Sequence, residues 1–162
     1  MQNRDSLEKK IFSWEEALVQ RNKWQKEGLE VVFTNGCFDI LHYGHIDYLS
    51  KAADLGHKLI VAVNSDSSVK KLKGEKRPLN PENARMALLS ALFFIDAVVL
   101  FSDETPYELI SLLHPDILVK GGDYSEEQIA GADIVRQNGG KVVILPLVEG
   151  YSTTSLIEKS KQ

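Results

Sequence analysis

Short apolar runs, many of them β-branched, alternate with amphipathic stretches along the chain from Leu29 onward. Five of the runs are apolar at nearly every position, which is typical of strands buried on both faces of a parallel sheet. The predicted strands are residues 31–34, 59–63, 97–101, 117–119 and 142–145. The amphipathic stretches predict helices at residues 43–55, 66–72, 81–92, 106–113, 132–138 and 153–159. This alternation predicts an α/β fold, a Rossmann-like three-layer sandwich around a parallel sheet of about five strands.

The segment before Leu29 has a different pattern. Apolar residues lie among charged ones and predict a helix that lays one face on the body of the protein. These residues are Ile11, Phe12, Trp14, Ala17, Leu18 and Trp24. We therefore divide the chain into an N-terminal helical extension, residues 1–28, and one domain, residues 29–162. A chain of 162 residues is long enough for one such domain with a substantial core.

Composition and charge narrow the function classes. The chain is 43% hydrophobic and 26% charged, which is ordinary for a globular protein. Its net charge of −4 argues against a nucleic-acid partner held by net attraction. The single cysteine, Cys37, cannot form an internal disulfide, which favours a reducing compartment and predicts a cytoplasmic protein. No apolar run approaches the roughly 20 residues that cross a bilayer, and the charged start does not match a signal peptide, so we expect no membrane partner.

The most informative stretch, TNGCFDILHYGH at residues 34–45, follows the first of the five strands. It ends with two histidines, His42 and His45, at the predicted start of a helix. N–H groups and the helix dipole favour an anion there, and imidazoles can donate hydrogen bonds to phosphate oxygens. Gly36 allows a tight exit from the strand, and Gly44 lets a phosphate come close to the backbone. The stretch therefore predicts a phosphate site.

Two other interpretations of the histidines are open. They could be surface residues at a helix start, or they could bind a metal ion together with Asp39 or Asp47, since side chains three residues apart share a helical face. Their place directly after a parallel strand favours phosphate chemistry, because ligands of open α/β sheets bind at the carboxyl ends of strands.

The same stretch resembles the signature of the nucleotidyltransferase superfamily, His-x-Gly-His after a first strand and a glycine turn. Further segments extend the resemblance in order along the chain: VVFTNGCFD (31–39), NSD (64–66), LKGEKRP (72–78), VKGGDY (119–124), IAGAD (129–133) and GYSTT (150–154). Together they resemble the D-glycero-β-D-manno-heptose 1-phosphate adenylyltransferase domain of ADP-heptose synthase, over nearly everything from residue 29 onward. That family joins ATP to the heptose 1-phosphate, giving ADP-heptose and pyrophosphate for lipopolysaccharide core or other surface glycans.

The resemblance implies partners and a cofactor. The substrates would be ATP and a sugar 1-phosphate, and Mg²⁺ would accompany the ATP. In bacteria the family often carries the transferase behind a sugar-kinase domain, which implies a separate sugar kinase in the pathway. Small enzymes of this fold are commonly dimers, so we expect a homo-oligomer.

The resemblance also assigns site residues. The catalytic residues would be His42, His45 and Lys73. The nucleotide-binding residues would be Thr34, Asn35, Gly36, Phe38, Gly44, Asn64, Asp66, Arg85, Gly122, Asp123, Tyr124, Ser152, Thr153 and Thr154. Asp39 is a candidate metal ligand. Structural roles stay open for several of them: an exposed helix position for Arg85, packing for Tyr124, and helix capping for Asp66 and Ser152.

Other functions are compatible with the same motifs. The nearest is another sugar- or polyol-phosphate nucleotidyltransferase, such as one that acts on glycerol 3-phosphate with CTP or one that forms GDP-heptose. A non-catalytic nucleotide-binding module and a metal-dependent hydrolase are the alternatives from other classes. The sequence offers no activated nucleophile, because Cys37 fits a small residue behind the phosphate loop, so the expected reaction is a direct attack of one phosphate on another.

Overall fold

A computed structural model describes residues 2–162. Six strands form one parallel sheet in the order β1-β4-β3-β2-β5-β6. The strands are β1 (Ile11–Phe12), β2 (Val31–Gly36), β3 (Lys58–Asn64), β4 (Ala97–Phe101), β5 (Ile117–Gly121) and β6 (Lys141–Leu145). The helices are α1 (Gln2–Glu8), α2 (Trp14–Lys26), α3 (Tyr43–Ala53), α4 (Asp66–Lys73), α5 (Glu82–Ser90), α6 (Tyr107–Leu113), α7 (Ala132–Gln137) and α8 (Thr153–Ser160), with a 3₁₀ turn at Glu126–Gln128. The predicted Rossmann-like α/β fold is confirmed.

The N-terminal segment differs from the single helix predicted for it. Ile11 and Phe12 form β1, which pairs with Val98 and Val99 of β4, so the sheet has six strands. Helix α2 begins after Ser13 in a capping box, in which Ser13 Oγ accepts from the Glu16 N–H at 3.2 Å and Glu16 accepts from the Ser13 N–H at 2.8 Å. Two apolar residues are too few for their periodicity to distinguish a strand from a helix.

The sheet is buried on both faces, as the continuous apolar runs predict. On one face Phe33, Ile60 and Val99 pack against apolar residues of α2, α6 and α7. On the other face Val61 and Val98 pack against residues of α3 and α5. These two clusters are the interior of a three-layer sandwich. Of the helices formed by residues 2–162, none is both long and apolar enough to cross a membrane.

The order of the strands determines where a ligand can bind. From β2 the chain builds outward through β3 to β4, and then crosses over to place β5 and β6 on the opposite side of β2. The order in which strands are added to the sheet therefore reverses between β2 and β5. Ligands of open α/β sheets bind beyond the carboxyl ends of the strands at such a point. β2 ends at Gly36 and β5 ends at Gly121. The loops that follow these two glycines form the candidate site.

Candidate active site

The start of α3 lies directly above the end of β2. His42 is the N-cap residue of α3 and has extended backbone angles, φ −142° and ψ 173°. A Cβ atom on Gly44 would lie 3.0 Å from the His42 ring and 3.1 Å from Cβ of Tyr151. Glycine at this position therefore lets the helix start approach the segment that leads into α8.

The two histidine rings are in contact. Their centroids are 3.8 Å apart and their planes differ by 25°, and the Phe38 ring meets His45 edge-on with centroids 5.4 Å apart. Burial, with smaller contributions from the neighbouring His42 and Lys73, lowers the pKa of His45 to about 4. Burial also lowers the pKa of His42, whose Nδ1 is buried with no hydrogen-bond partner among residues 2–162. Both rings are therefore neutral at pH 7, and an anion placed beside them would favour their protonated forms.

A first cavity of about 260 Å³ lies against this histidine pair. The start of α8 forms its other wall, through Thr153 and Thr154. Ser152 is the N-cap of α8 and accepts from the Ser155 N–H at 3.0 Å, so the capping role is confirmed for it. Two helix N-termini thus face one cavity, and both favour negative charge.

Two further cavities, of about 400 and 310 Å³, continue along the ends of β2 and β5. Lys73, the last residue of α4, lines all three cavities. Among the predicted nucleotide-binding residues, Asn35, Gly36, Asn64 and Tyr124 line the second cavity. The site is therefore one elongated cleft with an ammonium group where its three parts meet.

The Asp39 carboxylate already accepts several hydrogen bonds from the protein. Its oxygens accept hydrogen bonds from the Leu79 N–H at 2.8 Å, the Asn80 N–H at 2.9 Å and Arg77 Nε at 2.6 Å. Burial alone would raise the pKa of Asp39, but these backbone and Arg77 hydrogen bonds together lower it. The carboxylate anchors residues 77–80 to the glycine turn, and its candidate role as a metal ligand stays a prediction. No three His, Cys, Asp or Glu side chains within residues 2–162 are grouped to hold a metal ion.

Arg85 holds neighbouring segments together beneath the cleft. Its side chain is 0% exposed, which excludes the exposed helix position, and its nucleotide contact stays a prediction. Its guanidinium donates to the Asn80 carbonyl at 3.0 Å, the Cys37 carbonyl at 2.6 Å and Asp66 at 2.8 Å. Arg85 therefore ties the glycine turn, α4 and α5 together from beneath the cleft. Ser65, not Asp66, caps α4, by accepting from the Ser68 N–H at 3.2 Å.

Of four other predicted nucleotide-binding residues, one lines the cleft and three line none of its cavities. Thr34 is fully buried and its hydroxyl group is hydrogen-bonded to Tyr48, and its predicted nucleotide contact stays a prediction. Phe38 is 6% exposed and packs its ring on His45 at the wall of the third cavity. Gly122 and Asp123 lie in the turn after β5 and line none of the three cavities, and their assignment stays a prediction.

The cleft also contains residues that the sequence did not single out as site residues. Tyr48 and Leu147 line the first and third cavities, Glu104 lines the second, and Lys120 lines the second and third. A lysine at the end of an otherwise apolar strand was the available signal for Lys120, because the ends of parallel strands form the ligand-binding edge. The others have no sequence signal that distinguishes them from ordinary loop or helix residues.

Comparisons with known proteins identify the family of the chain. The model of the cytidylyltransferase-like family matches residues 33–159. The bifunctional protein HldE of Campylobacter jejuni subsp. doylei is 55% identical over 159 residues, covering 98% of this chain and 33% of that protein. HldE of Marinomonas sp. (strain MWYL1) is also 55% identical, over 93% of this chain and 32% of that protein. The chain spans about a third of the length of these curated relatives.

Solved structures give the same picture. The crystal structure of the lipopolysaccharide core biosynthesis protein from Thermoplasma volcanium GSS1 is 31% identical, with a TM-score of 0.62, and the match covers 77% of this chain and 100% of that one. Pantoate-beta-alanine ligase from Francisella tularensis shares the fold at 14% identity, with a TM-score of 0.61, over 93% of this chain and 76% of that one. The cleft described above is built on the His-x-Gly-His helix start. The matches to the family model, to these relatives and to a solved structure show that the chain belongs to the cytidylyltransferase-like family of nucleotidyltransferases.

Proposed function

We propose that this protein joins ATP to D-glycero-β-D-manno-heptose 1-phosphate and releases ADP-heptose and pyrophosphate. The observation that carries the proposal is the first cavity, where His42, His45, Lys73 and two helix N-termini surround one space. The heptose substrate is supported by the series of motifs from residue 31 to 154, by the identity to bifunctional HldE proteins, and by the likeness to a lipopolysaccharide core biosynthesis protein.

The proposed reaction is a direct displacement at phosphorus. An oxygen of the sugar phosphate attacks the α-phosphorus of ATP, and the bond from that phosphorus to the oxygen bridging the β-phosphorus breaks. Pyrophosphate leaves with the electron pair of that bond. The attacking oxygen is already an anion, so no general base is needed, and the protein has to align two ligands that repel each other and stabilise the charge that develops between them.

The groups around the first cavity suit that task. The neutral rings of His42 and His45 can donate hydrogen bonds to the α- and β-phosphate oxygens, and their pKa values rise when the negative charge arrives. Lys73 supplies a positive charge at the junction of the three cavities, where the two phosphates would meet. The hydroxyl groups of Thr153 and Thr154 and the N–H groups of α8 face the outer phosphates.

Mg²⁺ would supply further charge neutralisation on the triphosphate. Asp39 is occupied by its own hydrogen bonds, and the side chains of residues 2–162 do not form a carboxylate cage for the ion. We therefore propose that Mg²⁺ enters bound to ATP, since this ion keeps much of its water and is held largely by phosphate oxygens.

A matrix of nucleoside triphosphates against sugar and polyol phosphates, measured by pyrophosphate release, tests the function. We expect the highest kcat/KM for ATP with D-glycero-β-D-manno-heptose 1-phosphate. Highest activity for CTP with glycerol 3-phosphate, or for GTP with the heptose, would instead support another transferase of the family. Release of inorganic phosphate without any acceptor would indicate a hydrolase, and nucleotide binding without turnover of any pair would indicate a binding module.

A further inference from the structure

Phe38 adopts a backbone conformation that is rare for a residue with a side chain. Its φ angle is 48°, in the left-handed region that favours glycine. Such a conformation persists where the surrounding structure holds it, and it occurs most often at functional sites. Both neighbours of Phe38 are held in this way. The Cys37 carbonyl accepts from the Arg85 guanidinium at 2.6 Å. The Asp39 carboxylate accepts from the Leu79 N–H at 2.8 Å.

This conformation of the glycine turn determines where the Phe38 ring lies. The ring belongs to the apolar cluster between the sheet and α3, is only 6% exposed, and forms part of the wall of the third cavity. A Cβ atom on Gly36 would lie 2.9 Å from Cε2 of the ring, which is closer than non-bonded carbon atoms pack. Glycine at position 36 therefore leaves free the space that the Phe38 ring occupies.

The Phe38 ring contacts one of the two histidines. Its centroid lies 5.4 Å from that of His45, and the planes of the two rings differ by 66°. The other contacts of the His45 ring come from His42, which stacks on it and whose N–H donates to His45 Nδ1 at 3.4 Å. His45 is thus held between its own helix start and the glycine turn. A group that donates to phosphate in the transition state contributes most when its orientation is fixed in advance.

We propose that Phe38 is a positioning residue that acts through His45, because its ring fixes the orientation of the imidazole and excludes water from that side of it. The strained glycine turn then serves to hold this aromatic ring against the histidine. The inference rests on the proposed function and adds to it a residue that determines kcat through another side chain.

The first test is Phe38→Leu, which keeps an apolar side chain and removes the ring. We expect kcat for pyrophosphate release to fall at least about tenfold while the KM for ATP changes less than about twofold. The matched control is Phe94→Leu. Phe94 is half-buried against the same apolar cluster and meets Phe93 edge-on at 5.2 Å, but it precedes β4 and so lies at the end of the strands opposite the cleft. This control should lose stability and keep kcat. An unchanged kcat in Phe38→Leu, or an equal fall in both variants, would overturn the inference.

A double-mutant cycle tests whether Phe38 acts through His45. In a protein that already carries His45→Ala, Phe38→Leu should lower kcat by less than about twofold more, because no imidazole remains to be oriented. If Phe38 only supports the fold, the substitution lowers kcat by the same factor with and without His45, and that result contradicts the inference. If Phe38→Leu fails to fold, Phe38→Met replaces it, since a flexible unbranched chain can fill the space of the ring.

The His45 imidazole also gives a measurement that needs no turnover. NMR titration of the ligand-free protein follows the pKa of His45, which burial, as the largest cause, lowers to about 4. We expect this pKa to rise by about one pH unit or more in Phe38→Leu, where water reaches the ring, and to stay unchanged in Phe94→Leu. The other ionisable groups around His45 are the same in both variants. They are His42 and Lys73, together with Cys37, Asp39, Tyr48, Arg77 and Lys120 along the third cavity.

Failure of the proposed function can be distinguished from failure of this inference. If another pair of substrates is turned over, the heptose assignment fails, and the double-mutant cycle measured with that pair still tests Phe38. If no pair gives pyrophosphate, the NMR titration decides. A raised His45 pKa in Phe38→Leu supports the placement of His45 by Phe38, and an unchanged one overturns it.

Discussion

The hydroxyl groups of Thr34 and Tyr48 lie 2.6 Å apart in the interior, and the Tyr48 hydroxyl donates onward to the Val119 carbonyl at 3.2 Å. This chain of hydrogen bonds joins α3 to β2 and to β5, the two strands between which the strand order reverses. Burial raises the pKa of Tyr48 to about 12, so its hydroxyl stays protonated at physiological pH. The helix that carries His45 is thereby held at a fixed height above the sheet.

Loss of the Tyr48 hydroxyl should therefore destabilise the protein. In Tyr48→Phe, the Thr34 hydroxyl and the Val119 carbonyl lose a buried partner, and we expect the free energy of unfolding to fall by about 1–3 kcal/mol. Urea denaturation measures it. Tyr43→Phe, at an exposed position of the same helix, should change it by less than about 0.5 kcal/mol. Equal effects of the two substitutions would show that the interior chain of hydrogen bonds contributes nothing.

Loss of either of the two stacked histidines should lower kcat strongly. Replacing His42 or His45 with Ala removes a donor to the phosphates in the transition state, and we expect kcat to fall on the order of 100-fold or more. Pyrophosphate release measures kcat, and circular dichroism checks that the fold is intact. Tyr43→Phe, which lies between them, should retain near-normal turnover. Near-normal turnover in both alanine variants would remove the histidines from the mechanism.

ATP binding should be accompanied by proton uptake at mildly acidic pH. The free protein holds His45 with a pKa of about 4, so the ring is neutral at pH 5.5. Phosphate charge beside it favours the imidazolium and raises this pKa, and the complex then binds more protons than the free protein. Calorimetry in two buffers with different ionisation enthalpies measures the uptake. His45→Asn should reduce it, and the same uptake in the variant would assign the proton to another group.

Two substitutions at the start of α8 can separate the role of this segment in helix capping from its role in ligand binding. Ser152 caps the helix, so Ser152→Ala should lower the free energy of unfolding by about 1 kcal/mol. Thr153 lines the first and third cavities, so Thr153→Val should raise the KM for ATP several-fold with little change in stability. Thermal melting without ligand, measured beside the KM, compares the two. A Thr153→Val protein that melts earlier but keeps its ATP KM would restrict this segment to a structural role.

Initial rates should follow a sequential scheme, because direct displacement requires both substrates on the protein together. Cys37 lies in the cleft, but burial raises the pKa of its thiol, and a protonated thiol is a poor nucleophile. Cys37→Ser should therefore retain activity. Ping-pong kinetics or an isolable nucleotidyl-enzyme would contradict direct displacement.

The central part of the fold could be predicted from the sequence because its signal is local. Strands β2 to β6 are continuous apolar runs, and Val32, Val61 and Val98 are fully buried where the pattern places them. Strand β1 could not be predicted in this way, since Ile11 and Phe12 form a strand only through their pairing with β4. That pairing is a tertiary contact, and no two-residue pattern encodes it.

The site could be predicted in position but not in the direction of its side chains. The His-x-Gly-His segment lies at the helix start where the sequence predicts it. Asp39 and Arg85, from the same cluster of motifs, turn inward to hold the loops. Lys120, near the end of the otherwise apolar strand β5, lines the cleft. Whether such a polar side chain is buried depends on hydrogen-bond partners that are distant in sequence. For Arg85 these partners include Asp66 and Cys37, which are 19 and 48 residues away.

The N-terminal segment also bears on how the molecules behave toward one another. Without it, β4 would be an edge strand with free backbone groups that a second molecule could extend into a continuous sheet. Here the Val98 N–H donates to the Lys10 carbonyl at 2.7 Å, and Trp14 donates to the Leu100 carbonyl at 2.8 Å. The edge strand that remains on this side of the sheet is β1, which has two residues and offers few backbone groups for pairing with another chain. Residues 10–14 thus cover the backbone groups of β4 that another chain could otherwise pair with.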